Sequence, residues 1–160
     1  MIDFPGLLSA LVEADVRFIV VGGAAGTAHG SARLTQDLDV VYDRSPENLR
    51  RLVAALGPHE PYLRGAPEGL PFVLDEATLR RGLNFTLTSK LGDVDLLGEI
   101  VGGGGYGDLE PHTIELELFG LRCLCLGLEK LIEVKRAAGR PKDLEVLAEL
   151  VAIRESLRSR

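Results

Sequence analysis

Two short segments of this chain place paired aspartates inside runs that are otherwise apolar: Gln36-Asp37-Leu38-Asp39-Val40-Val41 and Leu91-Gly92-Asp93-Val94-Asp95-Leu96-Leu97. Each is short, with polar and apolar residues alternating, and each is expected to be a strand. Side chains alternate along a strand, so Asp37 and Asp39 share one face while Leu38, Val40 and Tyr42 share the other. The two carboxylates are then ~6.6 Å apart along the strand. At that spacing they can share one or two divalent cations ~3.5–4 Å apart. Without a cation or an arginine they repel, and one tends to protonate. Asp95 is set between Val94 and Leu96, and a carboxylate inside an apolar strand needs a partner. Asp93 lies nearer the preceding turn. If the two strands are neighbours, Asp95 completes a three-carboxylate site with Asp37 and Asp39, and Asp93 stands as a further candidate. Oxygen ligands of this kind suit Mg²⁺ or Mn²⁺ better than zinc.

Upstream, Ile19-Val20-Val21-Gly22-Gly23-Ala24-Ala25-Gly26 reads as a strand, a Gly-Gly turn and the start of a small-residue helix. Glycine lets backbone N–H groups approach a ligand, and a helix start favours phosphate. The small residues also serve simply to bring the helix close to the sheet. Elsewhere, helices are expected over 6–15, 46–56, 128–138 and from Pro141 to about Leu157. Ser45 is a natural N-cap, and Gly139 a natural stop before Pro141. Residues 83–88 and 91–97 read as two strands across a turn at Ser89-Lys90. Residues 113–119 and 121–126 read as a hairpin turning at Gly120. Gly57 to Pro71 reads as loop. The order predicts a single α/β (α+β) domain over 1–160, with a core at about 17–126 and a C-terminal helical pair at about 127–157.

Composition sets the outer limits. The 160 residues are 46% hydrophobic and 26% charged, which suits one globular core. A formal net charge of −6 argues against wholesale binding of nucleic-acid backbone, though not against a nucleotide or an RNA end held at a local basic patch. No apolar run nears the ~18 residues of a membrane span. Met1-Ile2-Asp3-Phe4-Pro5 lacks a basic, cleavable leader pattern, so a cytoplasmic location and no membrane partner are expected. Cys123 and Cys125 alternate with leucines and read as buried apolar thiols. Gly102-Gly103-Gly104-Gly105-Tyr106-Gly107 satisfies Gly-x-Gly-x-x-Gly, but Pro111 leaves no room for the helix a dinucleotide site requires. A flexible loop beside the active site is expected there. His29 is expected to be a surface or capping histidine.

Taken together, Gly22-Gly23, the strand Asp37-Leu38-Asp39 and a later strand carrying Asp95 resemble the nucleotidyltransferase superfamily, that of DNA polymerase beta. More narrowly, Arg33-Leu34-Thr35-Gln36-Asp37-Leu38-Asp39 and Lys135…Arg140-Pro141-Lys142-Asp143 are similar to the minimal bacterial nucleotidyltransferases, including the AbiEii-type abortive-infection toxins. The resemblance spans about residues 17–150. It implies a nucleotidyltransferase fold with a mixed central sheet. It also implies Mg²⁺ or Mn²⁺ held by Asp37, Asp39 and Asp95, and a nucleoside triphosphate such as ATP as substrate. Gly22, Gly23, Arg33, Thr35 and Lys135 would bind the nucleotide, with Arg140, Lys142 and Asp143 as further candidates. The acceptor would be a hydroxyl of an RNA (a tRNA end, for example), a protein or a small molecule, and an antitoxin partner would follow from the toxin resemblance. A non-catalytic nucleotide sensor is the alternative on the same fold. Position 23 is Gly where many members carry Ser, so backbone amides must replace that hydroxyl.

Lys135 is notable on physical grounds alone. Leu128, Leu131, Ile132, Val134 and Ala138 form one helical stripe, with Glu129, Glu133 and Arg136 opposite. Lys135 falls near the middle of the stripe, so it either snorkels out or reaches a polar site.

Overall fold

The computed structural model describes residues 2–159. Helix α1 (Phe4–Glu13) is capped by Asp3, whose Oδ1 accepts from the Gly6 amide at 2.9 Å. It leads into β1 (Phe18–Val21), α2 (Gly22–Ala28) and β2 (Asp37–Tyr42). Helix α3 (Pro46–Leu56) starts at the expected Ser45 cap, with proline in its first turn. Then come β3 (Tyr62–Leu63), α4 (Glu76–Arg81), β4 (Asn84–Thr88) and β5 (Asp93–Leu97). A small unit of β6 (Glu99–Ile100), β7 (Gly104–Gly105) and α5 (Tyr106–Leu109) precedes the hairpin of β8 (Thr113–Leu118) and β9 (Leu121–Leu126). Helices α6 (Leu128–Ala138) and α7 (Pro141–Arg158) close the chain, with Gly139 in the left-handed region between them (φ 64°).

Seven strands form one mixed sheet in the order β3-β4-β5-β2-β1-β9-β8. β2 runs parallel to β5 and β1 parallel to β9, while the other neighbours are antiparallel. Alternation gives the sheet two different faces. Val20, Leu38, Val40, Tyr42, Val94 and Leu96 are fully buried on one. The apolar stripes of α1 (Leu7, Leu8, Leu11) and α3 (Leu49, Leu52, Leu56) are buried in the same core. Asn48 pins α3 to the strand ends: its amide donates to the Arg17 and Asp43 carbonyls at 3.1 and 2.7 Å, and its oxygen accepts from the Arg17 amide. The other face carries the aspartates, and α2, α6 and α7 lie on that side.

Two expectations need correcting. The segment 57–71 is not all loop, because Tyr62 and Leu63 pair with Thr88 and Leu87 as an edge strand. Tyr62 also contacts Phe72 edge-on, which anchors the turn that follows. The glycine run at 102–107 is not a free flap. Gly104 and Gly105 pair back onto Ile100 and Glu99, and the Gly105 amide donates to Asp108 Oδ2 at 3.0 Å. Gly102 (φ 77°) leaves no room for a side chain beside Ala137 of α6. Pro111 does prevent a dinucleotide-type helix: α5 is a single turn.

The two cysteines are buried and free on one face of β9. Burial pushes the Cys125 thiol up to about 12, so it is an inert apolar filler. His29 caps the end of α2, and its Nε2 donates to the Leu126 carbonyl at 2.7 Å. Among the described residues, no helix is long and apolar enough to cross a membrane.

Candidate active site

The sheet register brings the aspartates together. β2 and β5 pair in parallel with Asp37 opposite Asp93 and Asp39 opposite Asp95. Antiparallel β1 sets Val21 opposite Asp39, so the start of α2 begins at the same level. Asp37, Asp39 and Asp95 each offer a carboxylate oxygen within 4.8 Å of the others. Asp93 opens β5, on the rung beside Asp37.

The electrostatics follow from this crowding. Burial first, then the neighbouring Asp37 and Asp95 charges, push the Asp39 carboxyl up to about 8. Burial and Asp95 also raise Asp37, against the pull of Arg64. Asp39 Oδ1 is buried with no hydrogen-bond partner among the described residues. An orphaned acceptor in a nest of acids is costly unless a cation completes it. The donor set is all oxygen and the atoms converge on one point, so the residues present fit a divalent ion of the Mg²⁺ or Mn²⁺ kind.

Gly22 shows how closely the turn is fitted to this point. It has φ 65°, and a Cβ there would meet the Asp39 carboxylate, with Cγ at 2.9 Å. No side chain caps the first amides of α2. At Gly23 a Cβ would stand 2.9 Å from Thr35 Oγ1, so the Thr35 hydroxyl occupies the space beside the missing serine position. That hydroxyl also donates to the Asp37 carbonyl at 3.0 Å, tying the connector to β2.

From Gly22 and Asp39 a cleft of about 350 Å³ runs between β5–β6 and α6. Leu97, Ile100, Val101 and Val134 give it apolar walls, and Asn84, Glu99, Lys135, Arg140 and Asp143 are its polar lining beside Asp39. Lys135 does reach a polar site from its apolar stripe. Its Nζ is 3.3 Å from Asp143 Oδ1, and its side chain is 17% exposed. Asp143, 1% exposed, is the hub of this wall. It accepts from Arg140 Nε at 2.6 Å and from the Arg140 amide at 3.2 Å, which also caps α7. Burial opposes its ionisation, but hydrogen bonds from Arg140 and Lys135 outweigh this and hold it below the usual carboxylate range.

Two of the sequence candidates lie elsewhere. Arg33 is exposed and pairs with Glu145 and Glu149 of α7, each at 3.8 Å. Lys142 is exposed and does not line the cleft. Asn84 and Glu99 of the cleft lining carried no signal in the sequence, and neither did Arg64 beside the acids. Arg64, just past β3, donates from Nη2 to Asp95 Oδ1 at 2.7 Å and to the Leu87 carbonyl at 2.7 Å. It also stands 3.2 Å from Asp93 and 3.9 Å from Asp37. An arginine in a Pro- and Gly-rich stretch gives no local signal; the need of an acidic cluster for a counter-charge was the only pointer.

No family model matches the chain, and no curated protein matches it in sequence. Solved structures do match. A Thermotoga maritima protein described as a nucleotidyltransferase superposes with a TM-score of 0.54 at 15% identity, over 100% of this chain and 97% of that one. The chain has the nucleotidyltransferase fold. The antibiotic-resistance factor ANT(2'')-Ia matches with a TM-score of 0.52 at 17% identity, over 98% and 89% of the two chains. A second structure of ANT(2'')-Ia, in complex with adenylyl-2''-tobramycin, gives 0.52 at 15%, over 98% and 95%. A nucleotidyltransferase-like antigen of Paracoccidioides brasiliensis gives 0.54 at 14%, over 95% and 77%.

Proposed function

We propose that this chain is a metal-dependent nucleotidyltransferase that moves a nucleoside monophosphate from a triphosphate to a hydroxyl. The observation that carries this is the convergence of Asp37, Asp39 and Asp95 with a buried, unpartnered Asp39 oxygen at the mouth of the cleft. A divalent ion bound there supplies charge neutralisation for the attacking and leaving oxygens of an in-line displacement.

The chain's own groups divide the remaining work. The uncapped amides at Gly22 and Gly23 would meet the phosphates, and the cations Lys135 and Arg140 line the same cleft as Gly22. Asp143 holds those two cations in place. The apolar walls around Ile100 and Val134 suit the flat face of a base. Asp95 lies on the far side of Asp39 from Gly22, where an acceptor would enter. It takes the proton of the acceptor hydroxyl as that oxygen bonds the α-phosphorus and pyrophosphate leaves with the α–β bridging oxygen. A relative bound to an adenylylated aminoglycoside supports a hydroxyl acceptor of the small-molecule class. The Arg33–Asp39 and Lys135…Asp143 motifs carry the likeness to abortive-infection toxins, and that likeness supports an RNA or protein acceptor with an antitoxin partner.

Incubation of the protein with each α-labelled triphosphate, Mg²⁺ and a cell extract decides between these. Label is expected in one class of molecule: RNA, protein or small metabolite. Asp39→Asn is expected to abolish transfer while leaving the far-UV spectrum intact. Undiminished transfer by that variant would remove the metal assignment. Nucleotide binding with no transfer to any class would leave a sensor.

A further inference from the structure

Among the described residues, Arg64 is the cation that contacts Asp37, Asp93 and Asp95 directly, and nothing in the proposed reaction uses it. Its position follows from the sheet. The Arg64 amide donates to the Thr86 carbonyl at 3.0 Å, Thr86 stands opposite Asp95, and Asp95 stands opposite Asp39. Arg64 therefore reaches the carboxylates along the rung that joins Thr86, Asp95, Asp39 and Val21, from the β3 edge of the sheet.

The manner of contact is informative. An arginine that orients one carboxylate usually does so as a bidentate fork. Arg64 instead spreads over three acids, at 2.7 Å from Asp95, 3.2 Å from Asp93 and 3.9 Å from Asp37. Its Nε is buried without an aligned acceptor. Two of these acids, Asp37 and Asp95, belong to the metal-competent cluster. Asp39, the third member, gets no contact from Arg64 and keeps the orphaned oxygen. This is the pattern of a counter-charge shared by a cluster, not of a scaffold for one ligand. The backbone around it can also yield. β3 is a two-residue edge strand, and Gly65 follows with φ 78° and open space around it.

We infer that Arg64 is a resident counter-ion of the carboxylate cluster, in direct competition with the divalent cation for Asp37 and Asp95. The inference rests on the metal site of the proposed function. A cation entering between Asp39 and Asp95 meets a guanidinium already bonded to Asp95 Oδ1. Like charges that close repel strongly in a partly buried setting. Metal binding therefore releases Arg64 from Asp95, leaving it held by the Leu87 carbonyl and Asp93. The same release frees the Asp95 oxygen that takes the acceptor proton. Arg64 thus keeps the acids paired until metal arrives, at the cost of weaker metal binding.

Mn²⁺ titration followed by electron paramagnetic resonance tests this without reference to turnover. Wild type, Arg64→Gln, Arg64→Lys and Asp39→Asn are compared, each checked for fold by circular dichroism. Arg64→Gln is expected to bind Mn²⁺ about tenfold more tightly than wild type. Arg64→Lys, which keeps the charge, is expected to stay near the wild-type affinity. Equal or weaker binding by folded Arg64→Gln, with Asp39→Asn still abolishing binding, would overturn the competition and leave the metal site standing. Absence of Mn²⁺ binding in both wild type and Arg64→Gln would overturn the metal site itself, and this inference with it.

Discussion

Asp39 concentrates the physical conflict of this molecule in one side chain. It is buried, lies beside two other acids, and is pushed up to about 8. The sign of the consequence is fixed by linkage. An unfolded aspartate titrates near ~3.9, so between that value and about 8 the folded state holds the extra proton. Stability of the metal-free protein therefore falls as pH rises through this window, and Asp37, raised for the same reason, adds to the fall. Asp143 has the opposite shift, but its contribution is lost only on acidification below the usual carboxylate range. In EDTA, the melting temperature is expected to be higher at pH 5.5 than at pH 8.5. Asp39→Asn, neutral at both values, is expected to flatten the difference. A wild-type melting temperature that climbs with pH, and an identical climb in the variant, would show that Asp39 is ionised and compensated in the metal-free fold.

Among the elements, the C-terminal helical pair presents the cations, and Asp143 is the joint between the two helices. Its carboxylate caps α7 through the Arg140 amide and holds both Lys135 of α6 and Arg140. Asp143→Ala removes a cap and a buried acid together. A cost of about 2–3 kcal/mol in urea denaturation is expected, softened because Arg140 can turn to water. Asp143→Asn keeps the cap geometry and is expected to lose about half as much. The pair of helices was readable in advance because Gly139 and Pro141 punctuate it and Lys135 breaks an apolar stripe. The carboxylate strands were readable because alternation alone fixes which side chains share a face. Other elements gave no such signal. β3 is two residues long and exists only because β4 offers it a free edge, so no periodicity could mark it. In the hairpin of β6 and β7, the turn at Gly102-Gly103 and β7 itself are glycine, and Gly102 is placed by its packing against Ala137 of α6 and not by any preference of its own. Arg64 follows from β3 and was invisible with it. Arg33 is a different case: a charged residue at a motif position that pairs with Glu145 and Glu149 of α7.

At the scale of the whole chain, the site is a property of topology. Asp39 and Asp95 sit on strands separated by α3, β3, α4 and β4, and only the parallel pairing of β2 with β5 unites them. In the unfolded chain these acids are dispersed, so a divalent ion has nothing comparable to bind. An ion that binds only the native state stabilises it by mass action, about 2.7 kcal/mol at a hundred times its dissociation constant. For a chain of this length that corresponds to a rise of ~5–10 °C in melting temperature. Mg²⁺ or Mn²⁺ is expected to produce that rise, and EDTA to reverse it. The rise should be larger at pH 8 than at pH 6, because at the lower value protons hold the Asp39 oxygens. Asp39→Asn should behave in two ways at once. It removes a buried charge, so at pH 8 without metal it should melt above wild type. It also removes a ligand, so added metal should leave its melting temperature unchanged. A variant more stable than the natural protein yet deaf to metal would mean that the fold carries an unneutralised acid for the sake of the ion. A variant that melts lower than wild type without metal would mean that Asp39 is stabilising in its own right, and that the cluster is balanced by Arg64 and Lys135 alone.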